Sequence, residues 1–101
     1  MAYRIILEDA ALEHLRGLSA GLRAKVAAAL RSQLVHEPEV ETRNRKRMDP
    51  DRRMYVAPWE LRVGQLRVYY AVKEQAALVV VTKIGIKDRD RVIIGGEPFE
   101  L

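Results

Sequence analysis

The chain has 101 residues, 49% of them hydrophobic, which suits one domain with a packed core rather than a disordered tail. It has no cysteine, so disulfides and thiolate metal sites are excluded. No apolar run approaches the roughly 18 residues of a membrane span, and none near the start reads as a signal peptide, so a cytoplasmic location without membrane contact is expected. The net charge of +4 is unevenly spread: residues 1–42 carry 5 basic and 6 acidic side chains, residues 43–91 carry 13 and 6, and residues 92–101 add 2 acidic groups. Such segregation is the footprint of a nucleic-acid binder or of a protein with an acidic partner. The plain alternative is a solubilising surface.

Tyr3 to Leu7 (YRIIL) reads as a short β-branched strand. Glu8 or Asp9 can cap a short helix that carries Leu12 and Leu15 on one face and ends at Gly17. Ser19 caps a second helix running to about His36, with Leu22, Val26, Ala29, Leu30, Gln33 and Leu34 near the helical period. Pro38 stops it. Glu41 to Arg53 holds six basic residues and little to bury, and reads as an exposed loop or an irregular approach to a strand. Three strands follow at about 55–63, 66–72 and 77–85, the last apolar on both faces and therefore central. IKDRDR reads as a charged turn or short helix, and VIIGGE as a last strand or a docking tail. The fold class is α+β: a strand, two helices, then an antiparallel meander with the helices on one sheet face.

The stretch WELRVGQLRVYYAV, Trp59 to Val72, reads as a hairpin. Gly64 supplies the positive φ that the first position of a type II′ turn needs, so Val63 and Leu66 are the last pair and Arg62 faces Arg67. Trp59, Leu61, Val63, Leu66, Val68, Tyr70 and Val72 then share the covered face. Glu60, Arg62, Arg67 and Tyr69 share the other, which reads as too polar for a second core. Like charges directly opposite cost perhaps ~0.2–1 kcal/mol. Glu60, diagonal to Arg67, can offset part of that cost, or both guanidiniums can await a phosphate. The basic loop and Lys83, Lys87, Arg89 and Arg91 can converge around this face, and Tyr69 could stack on a base. Metal-free cleavage of a phosphate ester needs cations where charge develops, plus a base and an acid. The cations are plentiful and the base is not evident. His14 and His36 lie on the helices as ordinary helix residues, no metal-ligand spacing is present, and Gly95-Gly96 reads as a tight turn.

WELRVGQLRVYYAV, VVVTKIGIKDRDR and the closing IGGE resemble the RelE/ParE superfamily of type II toxins, and the element order resembles it from AYRIILEDAALEHLRGL onward. The resemblance implies a microbial-ribonuclease-like fold and neutralisation by a small antitoxin protein. It also implies one of two targets: messenger RNA on the ribosome, cut by attack of a ribose 2′-hydroxyl, or DNA gyrase, inhibited without chemistry. A degenerate member that keeps only antitoxin binding is a third possibility. Fold alone does not choose between them. No cofactor is implied. The superfamily's return-strand arginine falls on Arg67, the arginine before the turn on Arg62, and a later basic residue near Lys87. RelE-type enzymes place two lysines where this chain has Pro58 and Glu60, and a tyrosine where it has Ile93. Other branches use a carboxylate base, which makes Glu60 a candidate, with Asp49 and Asp51 behind it. The expected catalytic set is Arg62, Arg67, Lys87 and Glu60. The expected RNA contacts are Arg43, Arg45, Lys46, Arg47, Arg52, Arg53, Tyr69, Lys83, Arg89 and Arg91.

Overall fold

A computed structural model describes residues 2–48 and 57–99. Strand β1 spans Arg4–Leu7, with Ile5 and Leu7 turned toward the core and Ile6 exposed. Helix α1 spans Asp9–Arg16; Glu8 is its N-cap residue, but its side chain makes no capping bond, and Gly17 follows the last turn. Helix α2 spans Ala20–Leu34, and its N-cap does act through the side chain: Ser19 Oγ accepts from the Leu22 N–H at 3.2 Å. The helix ends at Leu34, two residues short of His36, with Val35 as its C-cap.

The basic segment is less of a loop than expected, because Arg45–Arg47 forms an edge strand, β2. It pairs antiparallel with β3, Trp59–Val63, which turns through Gly64-Gln65 into β4, Leu66–Lys73. Gly64 has φ +56° and Gln65 stays out of the left-handed region, the pattern of a II′ turn. The register is the expected one, with Arg62 opposite Arg67 and Trp59 opposite Tyr70. A single 3-10 turn, Glu74–Ala76, leads to β5, Leu78–Asp88. IKD thus continues the central strand instead of forming a separate turn or helix, because Ile86 and Lys87 find partners on both sides. The reversal is left to Arg89, at φ +59°, and Asp90. Strand β6, Arg91–Ile94, and β7, Glu97–Phe99, are joined by the Gly95-Gly96 turn.

Among the described residues, these seven strands make one sheet in the order β2-β3-β4-β5-β6-β7, antiparallel throughout that path. β1 alone runs parallel, along residues 78–81 of β5. It shares that edge with β6, which pairs with residues 85–88. The gap between them is filled from α1: His14 Nδ1 accepts from the Ile84 N–H at 3.3 Å. Across β5, a bulge at Tyr69/Tyr70 shifts the register, and Thr82 Oγ1 donates to the Tyr69 carbonyl.

The main core joins α2 (Val26, Ala29, Leu30, Leu34) to the covered sheet face, with Leu61, Leu66, Val68, Tyr70, Val79, Val81 and Ile84. Trp59 and Tyr70 stack across the strands at 6.1 Å between centroids. The Tyr70 hydroxyl donates to the Pro38 carbonyl at 2.7 Å, pinning the chain that leaves α2. The opposite face is not wholly polar. Ala57, Tyr69, Val92 and Ile94 form a smaller buried cluster there, with Met48 against it. Gly85 makes this possible: a Cβ on it would stand 2.7 Å from the Ile93 carbonyl oxygen and 2.8 Å from Val92, so only glycine lets β6 lie this close.

Candidate functional site

The face away from the helices is built by register. Lys46 lies opposite Glu60 between β2 and β3, Arg62 opposite Arg67 between β3 and β4, and Tyr69 opposite Lys83 between β4 and β5. Lys87 alternates with Gly85, which is opposite Arg67, so it shares this face, and its N–H donates to the Gln65 carbonyl at 2.7 Å beside the hairpin turn. Five cations therefore stand on one side of the sheet: Lys46, Arg62, Arg67, Lys83 and Lys87. Two acids share this side among the described residues: Glu60, inside the cationic group, and exposed Glu97, which register places opposite Ile94 at the far edge on β7.

Glu60 is spent inside the site. Its Oε1 accepts from Arg62 Nε at 2.5 Å, and its side chain is 4% exposed against 50% for Arg62. The expected diagonal pairing of Glu60 with Arg67 does not form. Two residues apart along one strand, Glu60 and Arg62 share a face and lie within reach, and Arg62 takes the carboxylate. Arg67 turns back to the hairpin: Nη1 donates to the carbonyls of Gly64 and Leu66, each at 2.8 Å. The two guanidiniums are thus held apart by different anchors, which answers how like charges tolerate a directly opposed position.

Tyr69 corrects an expectation. Its ring is fully buried in the smaller cluster and offers no surface on which a base could stack. Its hydroxyl makes no hydrogen bond of good geometry among the described residues, yet Glu60 lies near enough to perturb it. Burial first, then the Glu60 charge, pushes the phenol pKa well above its ordinary value, so Tyr69 is a neutral phenol at any physiological pH.

Arg45 is the second correction. It is buried, with Nε donating to the Val40 carbonyl at 2.8 Å and Nη1 to Gln33 O and Oε1, both at 2.9 Å. The Gln33 carbonyl belongs to the last turn of α2, whose orphan acceptors a cation satisfies well. Arg45 is therefore a structural clamp between α2 and β2, not a surface contact for RNA. Arg47 lies on the helix-side face, its guanidinium 5.4 Å from the centre of the Trp59 ring. Arg91 pairs with Asp88 on that same side by alternation, away from Lys87. Arg43 and Arg89 are exposed, one in the bend before β2 and one at the β5–β6 turn. Arg52, Arg53, Asp49 and Asp51 lie outside the described residues.

His14 was expected to be an ordinary helix residue. Its bond to the central strand was not readable in advance, since it joins positions 70 apart in the chain. Burial, and then the charge of Lys83, lowers its pKa. Among the described residues no group of three or more histidine, cysteine or acidic side chains could hold a metal ion.

No protein-family model matches the sequence, and none of the curated proteins compared with it is significantly similar. Solved structures are. The toxin–antitoxin complex RelBE2 from Mycobacterium tuberculosis contains a chain that superposes with a TM-score of 0.71 at 22% identity, covering 86% of this chain and 100% of that one. The isolated E. coli RelE toxin superposes with a TM-score of 0.62 at 24% identity, covering 87% of each chain. A mutant E. coli RelE in complex with a RelB peptide gives 0.54 at 18% identity, covering 87% of this chain and 86% of that one. With its two helices packed on one face of this mixed sheet, the chain has the α+β fold of the RelE toxins.

Proposed function

We propose that this chain is the toxin of a type II toxin–antitoxin pair and cuts messenger RNA on the ribosome. The observation that carries the reading is the predominantly cationic sheet face, where Lys46, Arg62, Arg67, Lys83 and Lys87 outnumber two acids: Glu60, already engaged by Arg62, and Glu97 at the β7 edge. A polyanion satisfies such a face, and a phosphorane in the transition state satisfies it better than the ground-state diester does. Arg67 and Arg62 are the proposed stabilisers of that charge, with Lys87 assisting. Lys46, Lys83, Arg43 and Arg89 hold the backbone of the RNA. The antitoxin is the proposed resting partner, as RelB is in the similar complexes.

One observation favours a second reading, the gyrase inhibitor. Among the described residues of this face, the groups suited to proton transfer near neutrality are few: Glu60 and Tyr69 are buried, and both histidines lie on or beside the helices. Pulse labelling after expression without antitoxin separates the two. Early loss of methionine incorporation with intact DNA synthesis is expected. Early loss of thymidine incorporation with a DNA-damage response transfers the assignment to gyrase.

A further inference from the structure

We infer that Glu60 is a positioning residue, and that its task is to aim the Arg62 guanidinium at a phosphate. This rests on the nuclease reading and deepens it. The geometry is asymmetric in an informative way. The Glu60 side chain is 4% exposed and that of Arg62 50%, so the carboxylate is the buried partner of the pair. The contact is made through Nε, the inner nitrogen of the fork. Arginine has five N–H groups in one plane, and the edge formed by Nη1 and Nη2 is the one that grips two oxygens of a phosphate. An acceptor fixed on Nε leaves that edge unused and turned outward. Among the described residues Arg62 makes no other side-chain hydrogen bond. Register supplies a second cation on the same hairpin: Arg67 is directly opposite Arg62, its Nη1 anchored at the turn and its Nε and Nη2 unbonded among the described residues.

The same facts remove Glu60 as the base that would deprotonate a 2′-hydroxyl. A general base must come within about 2.6–3.2 Å of the proton it takes, directly or through one water. A carboxylate closed off by Arg62 above and Tyr69 alongside does not offer that approach. Its opposite neighbour Lys46 makes no ion pair with it, so Glu60 serves Arg62 alone among the described cations.

The experiment is a double-mutant cycle on cleavage of messenger RNA in programmed ribosomes, with E60Q, E60A, R62A and the E60A/R62A pair. E60Q keeps the shape and an acceptor oxygen for Nε, so kcat falls modestly, by about tenfold. E60A frees the fork, and a misaimed group costs about a hundredfold in kcat with KM little changed. R62A should match E60A, and the pair should be no worse than R62A alone, because both changes remove one device. The pH–rate profile of E60Q should keep the wild-type shape. Loss of a profile limb in E60Q, effects of E60A and R62A that multiply, or unchanged kcat in E60A would each overturn the inference. Should E60A fail to fold, the cycle runs on E60Q with R62A and reads the same coupling. A wild-type protein that does not cut at all ends the nuclease reading, and the positioning claim is then read separately. The Arg62 Nε–H resonance should exchange slowly with solvent in the wild type, fast in E60A, and at an intermediate rate in E60Q, which keeps a neutral acceptor. Equal exchange in all three overturns it.

Discussion

Arg67 directs one nitrogen, Nη1, at two backbone carbonyls and leaves Nε and Nη2 with no hydrogen bond among the described residues. The Gly64 and Leu66 carbonyls can turn to water if that nitrogen is lost, and Arg62 is relieved of a like charge. Arg67→Gln should therefore change stability by no more than ~1 kcal/mol in thermal melts. Toxicity should fall by roughly a hundredfold or more, the scale for losing one transition-state donor. A destabilised but fully toxic variant would remove the phosphate site from this hairpin. Arg45 and Lys46, neighbours in sequence, should behave oppositely. Arg45→Met strands three acceptors around the end of α2 and should cost about 3 kcal/mol or more. Lys46→Ala should leave the melt within ~0.5 kcal/mol. It should instead weaken RNA binding and lower the salt slope by about one. The sequence shows these two as equal members of a charge run. Only alternation on an edge strand separates them, and a three-residue strand of Arg-Lys-Arg carries no apolar pattern by which to find it.

The hairpin could be read in advance because its determinants are local. Gly64 sets the turn, the turn sets the register, and alternation assigns the faces. What covers each face is not local. Tyr69 looked available because its own strand mates are charged, whereas its burial comes from Val92, Ile94 and Ala57, brought in by other elements. The seam between β1 and β6 is likewise invisible until both lie on one edge of β5. His14 closes that seam, and its role has a sign. Nδ1 must be unprotonated to accept from Ile84 N–H, and burial and then Lys83 hold the folded-state pKa below the ordinary 6.5. The unfolded chain therefore binds the extra proton more readily, so stability is full above pH 6.5 and declines as pH falls through the folded-state value. Glu13, beside it on α1, and Lys83 are the charged neighbours to hold constant. Melting temperatures between pH 8 and pH 5 should fall in the wild type. His14→Ala should lose that part of the dependence while costing about 1–3 kcal/mol at pH 8 through the orphaned Ile84 N–H.

Taken together, the molecule has a helical side and a cationic side, and the charge boundary in the sequence near residue 43 follows that division only in part. Arg45, Arg47 and Arg91 belong to the basic half of the chain yet serve or face the helical side. The usable positive surface is thus smaller and more concentrated than the count of basic residues implies. An antitoxin that neutralises it should bring acidic residues to the sheet, and the purified pair should lose affinity as salt rises from 0.1 M to 1 M, as for contacts screened within a Debye length of about 10 Å to 3 Å. Calorimetric titration at several salt concentrations checks this. An affinity indifferent to salt would place the antitoxin on apolar surface and leave the cationic face for RNA alone.

The parallel pairing of β1 with β5 also orders events in time. Ile6 lies against Val80, so β1 must wait during synthesis for a strand made 74 residues later. At ordinary elongation rates that wait lasts roughly 4–15 s, and closing so long a loop has to precede any gain from the contact. β5 brings Lys83, Lys87 and the centre of the core at the same moment. A chain still attached to its ribosome is consequently unfinished in both senses, without a closed sheet and without a complete cationic face. That order of events suits the toxin proposed above: neither the sheet nor the cationic face is complete before β5 has been made, which leaves time for an antitoxin made alongside to be waiting.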